Sequence, residues 1–436
     1  MLKFSRSLPV LLTLATALTI GMAACQKYEA GITIPSVTDP GVTNGLDTIY
    51  LGDSLKIAPT LGNVAGVPTY QWLVNGVEAS TDSAFTFKPT ANGDYTISFK
   101  AFAGNSLTGY YYRIKVFAPY ENGYYILNEG SFPNPGSLNF FRNGEDTMIT
   151  NIFARLNPGK TLGTTSQYGQ LFNGKLYMVS KQGAFVAADA NTLKETGRIA
   201  SLPADGRAFC GIDNSRGLVT TADGVYAINL QTLTLGAKVA GITGQTGGIL
   251  KTDNYVFVLT EAEGVVVLNA TDFSIVKKVV KADVGFARSQ DGNIWAASGK
   301  NLYAINEGTL AVKTYAIPVN IYDSWGYWNA GSLSAAKYEN AIYFSETDAY
   351  GSGTKIYKFV PGIDTTLTTP LVKLPDNRIL YGAGVRYNSK DTTLIVTALT
   401  SDYQSNTLLI YNAMNGTLKK TINYPGLYFP SMPVSN

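Results

Sequence analysis

The chain contains no histidine and only two cysteines, Cys25 and Cys210, in 436 residues. Without histidine there can be no Ser-His-Asp triad, no His-ligated zinc and no His axial ligand supplied by the protein. Two cysteines are too few for a disulfide scaffold or a thiolate metal cluster. Charge is scarce too: Asp, Glu, Lys and Arg make up 15% of the residues, the net charge is +3, and no long run of one sign appears. Nucleic acid is thereby disfavoured as a partner, because it would want a concentrated basic stripe. Enzymes built on lysine or carboxylates stay open.

What the chain has in quantity is glycine and tyrosine, 44 and 28 residues. That composition suits an all-β protein with many turns and aromatic cross-strand pairs. A short apolar strand recurs as GYYILNE (123–129), GKLYMVS (174–180), GLVTTAD (217–223), NYVFVLT (254–260), GNIWAAS (292–298), NAIYFSE (340–346) and DTTLIVT (391–397). Each copy is followed by a second strand, from SLNFFRN (137–143) to LLIYNAM (408–414), and most are flanked by two further short segments. A period of roughly 40–50 residues with four strands per unit is the signature of propeller blades. The first unit lacks an innermost strand, and the chain ends in a spare one, GLYFPSMPVSN (426–436). The expected fold is therefore a seven-bladed β-propeller over 119–436, closed by the C-terminal strand so that no open edge remains.

Ahead of it, residues 46–118 carry short strands with turn signals, among them an Asn75-Gly76 hairpin turn and the alternating run NGDYTISFKAFAG (92–104). Trp72 in a central strand and a late tyrosine-bearing strand resemble the PKD and immunoglobulin-like sandwiches of bacterial surface proteins. The usual disulfide is missing, so packing around Trp72 and Tyr95 must carry that core. Trp72 reads as core, with a carbohydrate platform as the alternative.

At the N-terminus, Lys3 and Arg6 precede an apolar run from Leu8 to Ile20 and the small residues Gly21 to Ala24. This describes a secretory signal over 1–24, the run being too short for an ordinary membrane-spanning helix. Met22-Ala23-Ala24-Cys25 resembles the bacterial lipobox, which implies lipidation of Cys25; an ordinary signal cleaved near Ala24 is the alternative. Residues 25–45 then read as a lipidated tether without periodicity.

In a propeller, the loops joining an outer strand to the next inner strand share one face with the loops between second and third strands. Ligand contacts are expected there. The stretch IYDSWGYWNAG (321–331) concentrates Trp325, Tyr327 and Trp328, flat apolar surfaces with polar edges that suit sugar rings, corrins or nucleobases. The alternative is a local core under a long loop. Tyr168, Phe132 and Tyr403 join the expected ligand-binding set, with Arg207, Arg288 and Arg386 as clamps for a phosphate or amide-bearing ligand; the alternative for Arg386 is an inner strand lining the channel. Cys210 reads as a buried, unreactive thiol. Asp323, Glu346 and Asp348 keep a paired-carboxylate glycosidase formally open.

The segment YYILNEGSFPNPGSLNFF (124–141), through Asn128, Glu129, Gly130, Gly136, Ser137 and Leu138, resembles the start of a family of Bacteroidetes surface-lipoprotein propellers. This is the YncE-like group also termed DUF5074, related to the cobalamin-binding protein BtuG, and GSLSAAKYENAIYFSE (331–346) fits it as well. The resemblance covers about 123–436. It implies a non-enzymatic, cofactor-free lipoprotein of the outer membrane, exposed at the cell surface. Such a protein would capture a nutrient, a cobalamin-type corrinoid or a glycan, for a TonB-dependent transporter. An adhesion or protein-interaction scaffold, and less readily a lyase or glycosidase, are the rival expectations.

Overall fold

The computed structural model describes residues 35–42, 46–64, 66–321, 323–346, 352–363, 367–425 and 429–435. The expected signal segment, the lipidation site Cys25, and the loop residue Asp348 lie outside the described residues. The chain divides into two compact units between Phe117 and Ala118.

The first unit is a small β-sandwich. Five strands form its main sheet in the order Leu46–Tyr50, Ser106–Phe117, Gly93–Ala103, Thr69–Val74, Val77–Ser80, the first pair running parallel. Leu55–Ile57 pairs with Phe85–Phe87 in a second, two-stranded sheet. The turn at Asn75 (φ 49°) and Gly76 (φ 83°) has positive φ at both central residues, which matches the right-handed twist of the flanking strands. Along Gly93–Ala103 the alternation holds, with Ile97, Phe99, Ala101 and Ala103 buried. Trp72 is fully buried, donates from Nε1 to the Asp82 carbonyl at 2.8 Å, and packs against Phe85, Phe99 and Tyr112. It is core, as expected.

One expectation fails here. Within the stretch read as a tether, Ser36–Asp39 forms a strand antiparallel to Thr60–Gly62, and the Pro40 carbonyl accepts from Tyr112 Oη at 2.8 Å. Val37 and Val42 supply the reason, since both pack on the sandwich core.

The second unit is propeller-like. Its described residues hold seven antiparallel sheets, and in the first of these the C-terminal strand Pro430–Ser435 pairs with Gly123–Asn128, Tyr124 opposite Ser435 and Ile126 opposite Pro433. The innermost strands of the other sheets are Thr164–Phe172, Gly206–Gly211, Thr246–Lys251, Val284–Arg288, Ser334–Ala335 and Arg378–Asn388. Each of these packs against the next, and Pro430–Ser435 packs against both Thr164–Phe172 and Arg378–Asn388. In the fifth sheet two expected strands run together as one, Ile294–Ile305, whose two halves pair with different neighbours. Gly299, at φ 55°, lets the chain bend between the two halves.

Six of the seven innermost strands carry a register shift near their start. The extra residues there include Gln167, Arg207, Gly247-Gly248, Phe286, Tyr381 and Ser431. A bulge re-aims a side chain out of the ladder. Repeated in six strands, it re-aims a set of unlike residues, Phe286 among them toward the cavity that Arg288 also lines.

Candidate ligand sites at the two ends of the channel

At the loop end, the connection between Val312–Ile321 and Ser334–Ala335 folds inward. Trp325 is 8% exposed and Trp328 1%, both within the apolar core around Val258 and Leu259. They rest against Gly247: a Cβ there would lie 2.7 Å from Trp328 Nε1 and 3.2 Å from Trp325 Cη2, so only glycine leaves room. The expectation of an exposed tryptophan platform is thereby corrected. Ala330 and Gly331 follow the rings inward, and Gly331 gives its carbonyl to Arg386 Nη1 at 3.0 Å.

Arg207 lies under the same loop. Its guanidinium sits 5.5 Å from the Trp328 ring, and its Nη2 donates to Gln245 Oε1 at 3.0 Å. Nε and Nη1 of Arg207, and Nε1 of both tryptophans, are buried with no hydrogen-bond partner among the described residues. Arg207 is thus a buried prop for the loop, not a clamp presented to solvent.

The family-motif residue Glu129, in a segment expected on the loop face, is a buried carboxylate. It accepts from Gln167 Nε2 at 2.9 Å and Tyr381 Oη at 3.2 Å. Burial pushes its carboxyl up to about 7, against the smaller opposing effect of those two hydrogen bonds. Tyr381 stacks on Phe429 at 4.7 Å. Bulges bring the two donors to the carboxyl: Gln167 and Tyr381 both occupy extra positions in their strands.

Three expected residues do stand out from the loop face. Phe132 is 80% exposed, Tyr327 67% and Tyr403 52%. They belong to the loops after Gly123–Asn128, before Ser334–Ala335 and after Thr393–Thr400, all at the same end of their sheets.

Of the other two expected residues, Tyr168 packs against the core that holds Trp325 and Trp328, and Arg288 belongs to the opposite end. Arg288 is the last residue of Val284–Arg288 and pairs with Glu307 at 2.7 Å, so its placement on the loop face is corrected. It lines a cavity of about 550 Å³ together with Tyr168, Phe172, Phe286, Gln170, Lys251 and Arg386. Burial raises the Tyr168 phenol above its ordinary range and lowers Arg386 to about 10, which still leaves Arg386 charged at neutral pH. Arg386 lines the channel from an inner strand, as the alternative reading had it, whereas Lys251 was not in the expected set. The signal is a pattern shared by three inner strands, GGILK, GFAR and GAGVR, each beginning with glycine and ending on a cation.

Catalytic groups do not converge among the described residues. Asp323 Oδ1 accepts from the Trp325 backbone at 2.9 Å, and Glu346 pairs with Lys355 at 2.9 Å. Cys210 is buried, its thiol pushed up to about 12. No group of three or more Cys, Asp or Glu residues suited to a metal is found among the described residues.

Comparisons with known proteins agree with this layout. The profile of a family described as a domain of unknown function, DUF5074, matches residues 122–436, and that of a PKD-like domain matches 42–103. No curated protein matches the chain. Among solved structures, a quinonprotein alcohol dehydrogenase-like protein from Bacteroides thetaiotaomicron is 22% identical, covering 92% of this chain and 98% of its own, with a TM-score of 0.58. A dihydro-heme d1 dehydrogenase, NirN, solved with its ligand DHE, is 10% identical, with 72% and 75% covered and a TM-score of 0.44.

Proposed function

Since the chain belongs to the DUF5074 family and carries a PKD-like domain, we propose that it is a lipid-anchored binding protein of the outer membrane, exposed at the cell surface. Its task in this reading is non-catalytic capture of a nutrient for a TonB-dependent transporter, with Cys25 as the lipidated residue. The second unit serves as a seven-bladed propeller closed by Pro430–Ser435; the cyclic packing of the innermost strands and the pairing of that strand with Gly123–Asn128 support this. A ring of sheets loses little entropy when it binds, which favours capture by preorganisation.

The observation that carries the capture reading is the exposure of Phe132, Tyr327 and Tyr403 on three separate loops at one end of the sheets. Solvent-exposed rings in such a place give a flat, wide ligand apolar surface with polar edges. A corrinoid is the first ligand to test and a glycan the second. The contact set differs from the sequence expectation: Trp325 and Trp328 support the loop from beneath, and the ligand meets Tyr327.

Calorimetric titration of the full chain with cobalamin tests the reading. Sub-micromolar binding that is lost in the Phe132→Ala, Tyr327→Ala, Tyr403→Ala triple variant is expected. Absence of heat at tens of micromolar would rule out the corrinoid, and a glycan array that is also negative would overturn capture at this face. Anchoring is checked separately: Cys25→Ser should move the protein from the membrane fraction to the soluble one.

A further inference from the structure

We propose that the end of the channel away from the loop face is a second binding site, for small organic anions that join a carboxylate or phosphate to a flat apolar body. The site is the cavity of about 550 Å³ into which three cations and three aromatic rings face from four different innermost strands. Its volume lies within the roughly 300–1,000 Å³ of ordinary small-molecule pockets.

The polar groups there are almost all donors. No carboxylate lines the cavity, while Lys251, Arg288 and Arg386 all do. Arg386 spends Nη1 on the Val385 and Gly331 carbonyls, at 2.7 and 3.0 Å; its Nε and Nη2 make no hydrogen bond among the described residues. The Lys251 ammonium has neither ion pair nor hydrogen bond there. Gln170 uses Oε1 to accept from the Gly211 backbone at 3.2 Å, which turns its amide nitrogen to other use. Only Arg288 has a carboxylate partner, Glu307, and a guanidinium so paired still has donors to offer.

Placing unpaired cations along a partly buried wall is costly unless an anion meets them. A guanidinium fork suits the two oxygens of a carboxylate or phosphate, and a flexible ammonium adds a point charge beside it. Tyr168, Phe172 and Phe286 then supply the apolar wall. Sugars without charge would leave the cations unmatched, and cations would be repelled.

Ala330 of the 321–331 connection reaches the cavity wall, but Phe132, Tyr327 and Tyr403 do not line it, so failure here and failure of the capture reading are distinguishable. The full chain, purified in detergent, is titrated with phenyl phosphate, benzoate and the neutral benzyl alcohol. At least one anion should bind, more weakly as salt is raised because the pairing is partly screened. Lys251→Gln should weaken it about tenfold, the loss of one charge-assisted hydrogen bond, and Arg386→Lys should weaken it too. The Phe132, Tyr327, Tyr403 triple variant should bind as the parent does. Preference between the two anions identifies phosphate or carboxylate as the natural head group. Failure of both anions to bind at millimolar concentration would overturn the proposal. So would equal binding of benzyl alcohol, or unchanged affinity in both cation variants with their melting temperatures intact.

Discussion

The two ends of the channel are formed by the same innermost strands, yet one is packed shut and the other is hollow. Where the strands begin, bulges push out Gln167, Arg207 and Tyr381, and the long connection from Ile321 to Ser334 drops Trp325 and Trp328 into the gap over Gly247. Where they end, the chain turns back at once, through Asn173-Gly174 after Phe172 and through Asn254 before Tyr255. Connections that short cannot cover the mouth, and charged residues such as Lys251 and Arg288 end the strands. The contrast teaches that connection length and the residue facing it decide whether a loop aromatic becomes core or contact surface. Tyr327, two positions from Trp325, points the other way and stays exposed.

Truncation at the packed end should be the most damaging change. Trp328→Ala removes a fully buried ring and should cost about 3–5 kcal/mol, read as a fall in denaturation midpoint. If the tryptophan were a ligand platform, stability would barely change and only binding would suffer.

Glu129 gives the next largest effect. Its folded carboxyl stands at about 7 against an ordinary value of 4.5, so folding takes up a proton between those values. Stability from this group is highest below about pH 4.5 and falls as pH rises through about 7, by up to about 3 kcal/mol. Denaturant unfolding of the parent and Glu129→Gln across that window should show the difference; parallel curves would remove Glu129 from the account. Gly247→Ala comes third, at about 1–3 kcal/mol from overpacking against the two tryptophans. Lys251→Gln, at the hollow end, should change stability by no more than about 0.5 kcal/mol. A large loss there would mean that the lysine is structural and would erase the contrast.

The repeat was legible because each unit alternates apolar strands with turns, a pattern that survives in a single sequence. The fate of Trp325 and Trp328 was not, since it depends on the room left by Gly247, some eighty residues earlier in the chain. Arg288 was misplaced for a related reason: a strand of five residues, Val284–Arg288, moves its last side chain to the opposite end of the channel. Arg386 was legible as a cation of an inner strand, but Lys251 went unnoticed because it looks ordinary alone, and only alignment of the inner strands shows the recurring cation. The strand Ser36–Asp39 was hidden by its Pro- and Gly-rich surroundings, although Val37 and Val42 were enough to fix it to the sandwich.

The claim that organises these observations is that the 321–331 aromatics form a stopper. Tryptophan fluorescence with iodide as quencher tests it directly, because all four tryptophans, Trp72, Trp295, Trp325 and Trp328, are buried. The account requires blue-shifted emission that iodide scarcely quenches. A red-shifted, iodide-sensitive component that disappears in Trp325→Phe or Trp328→Phe would contradict it and restore the exposed platform.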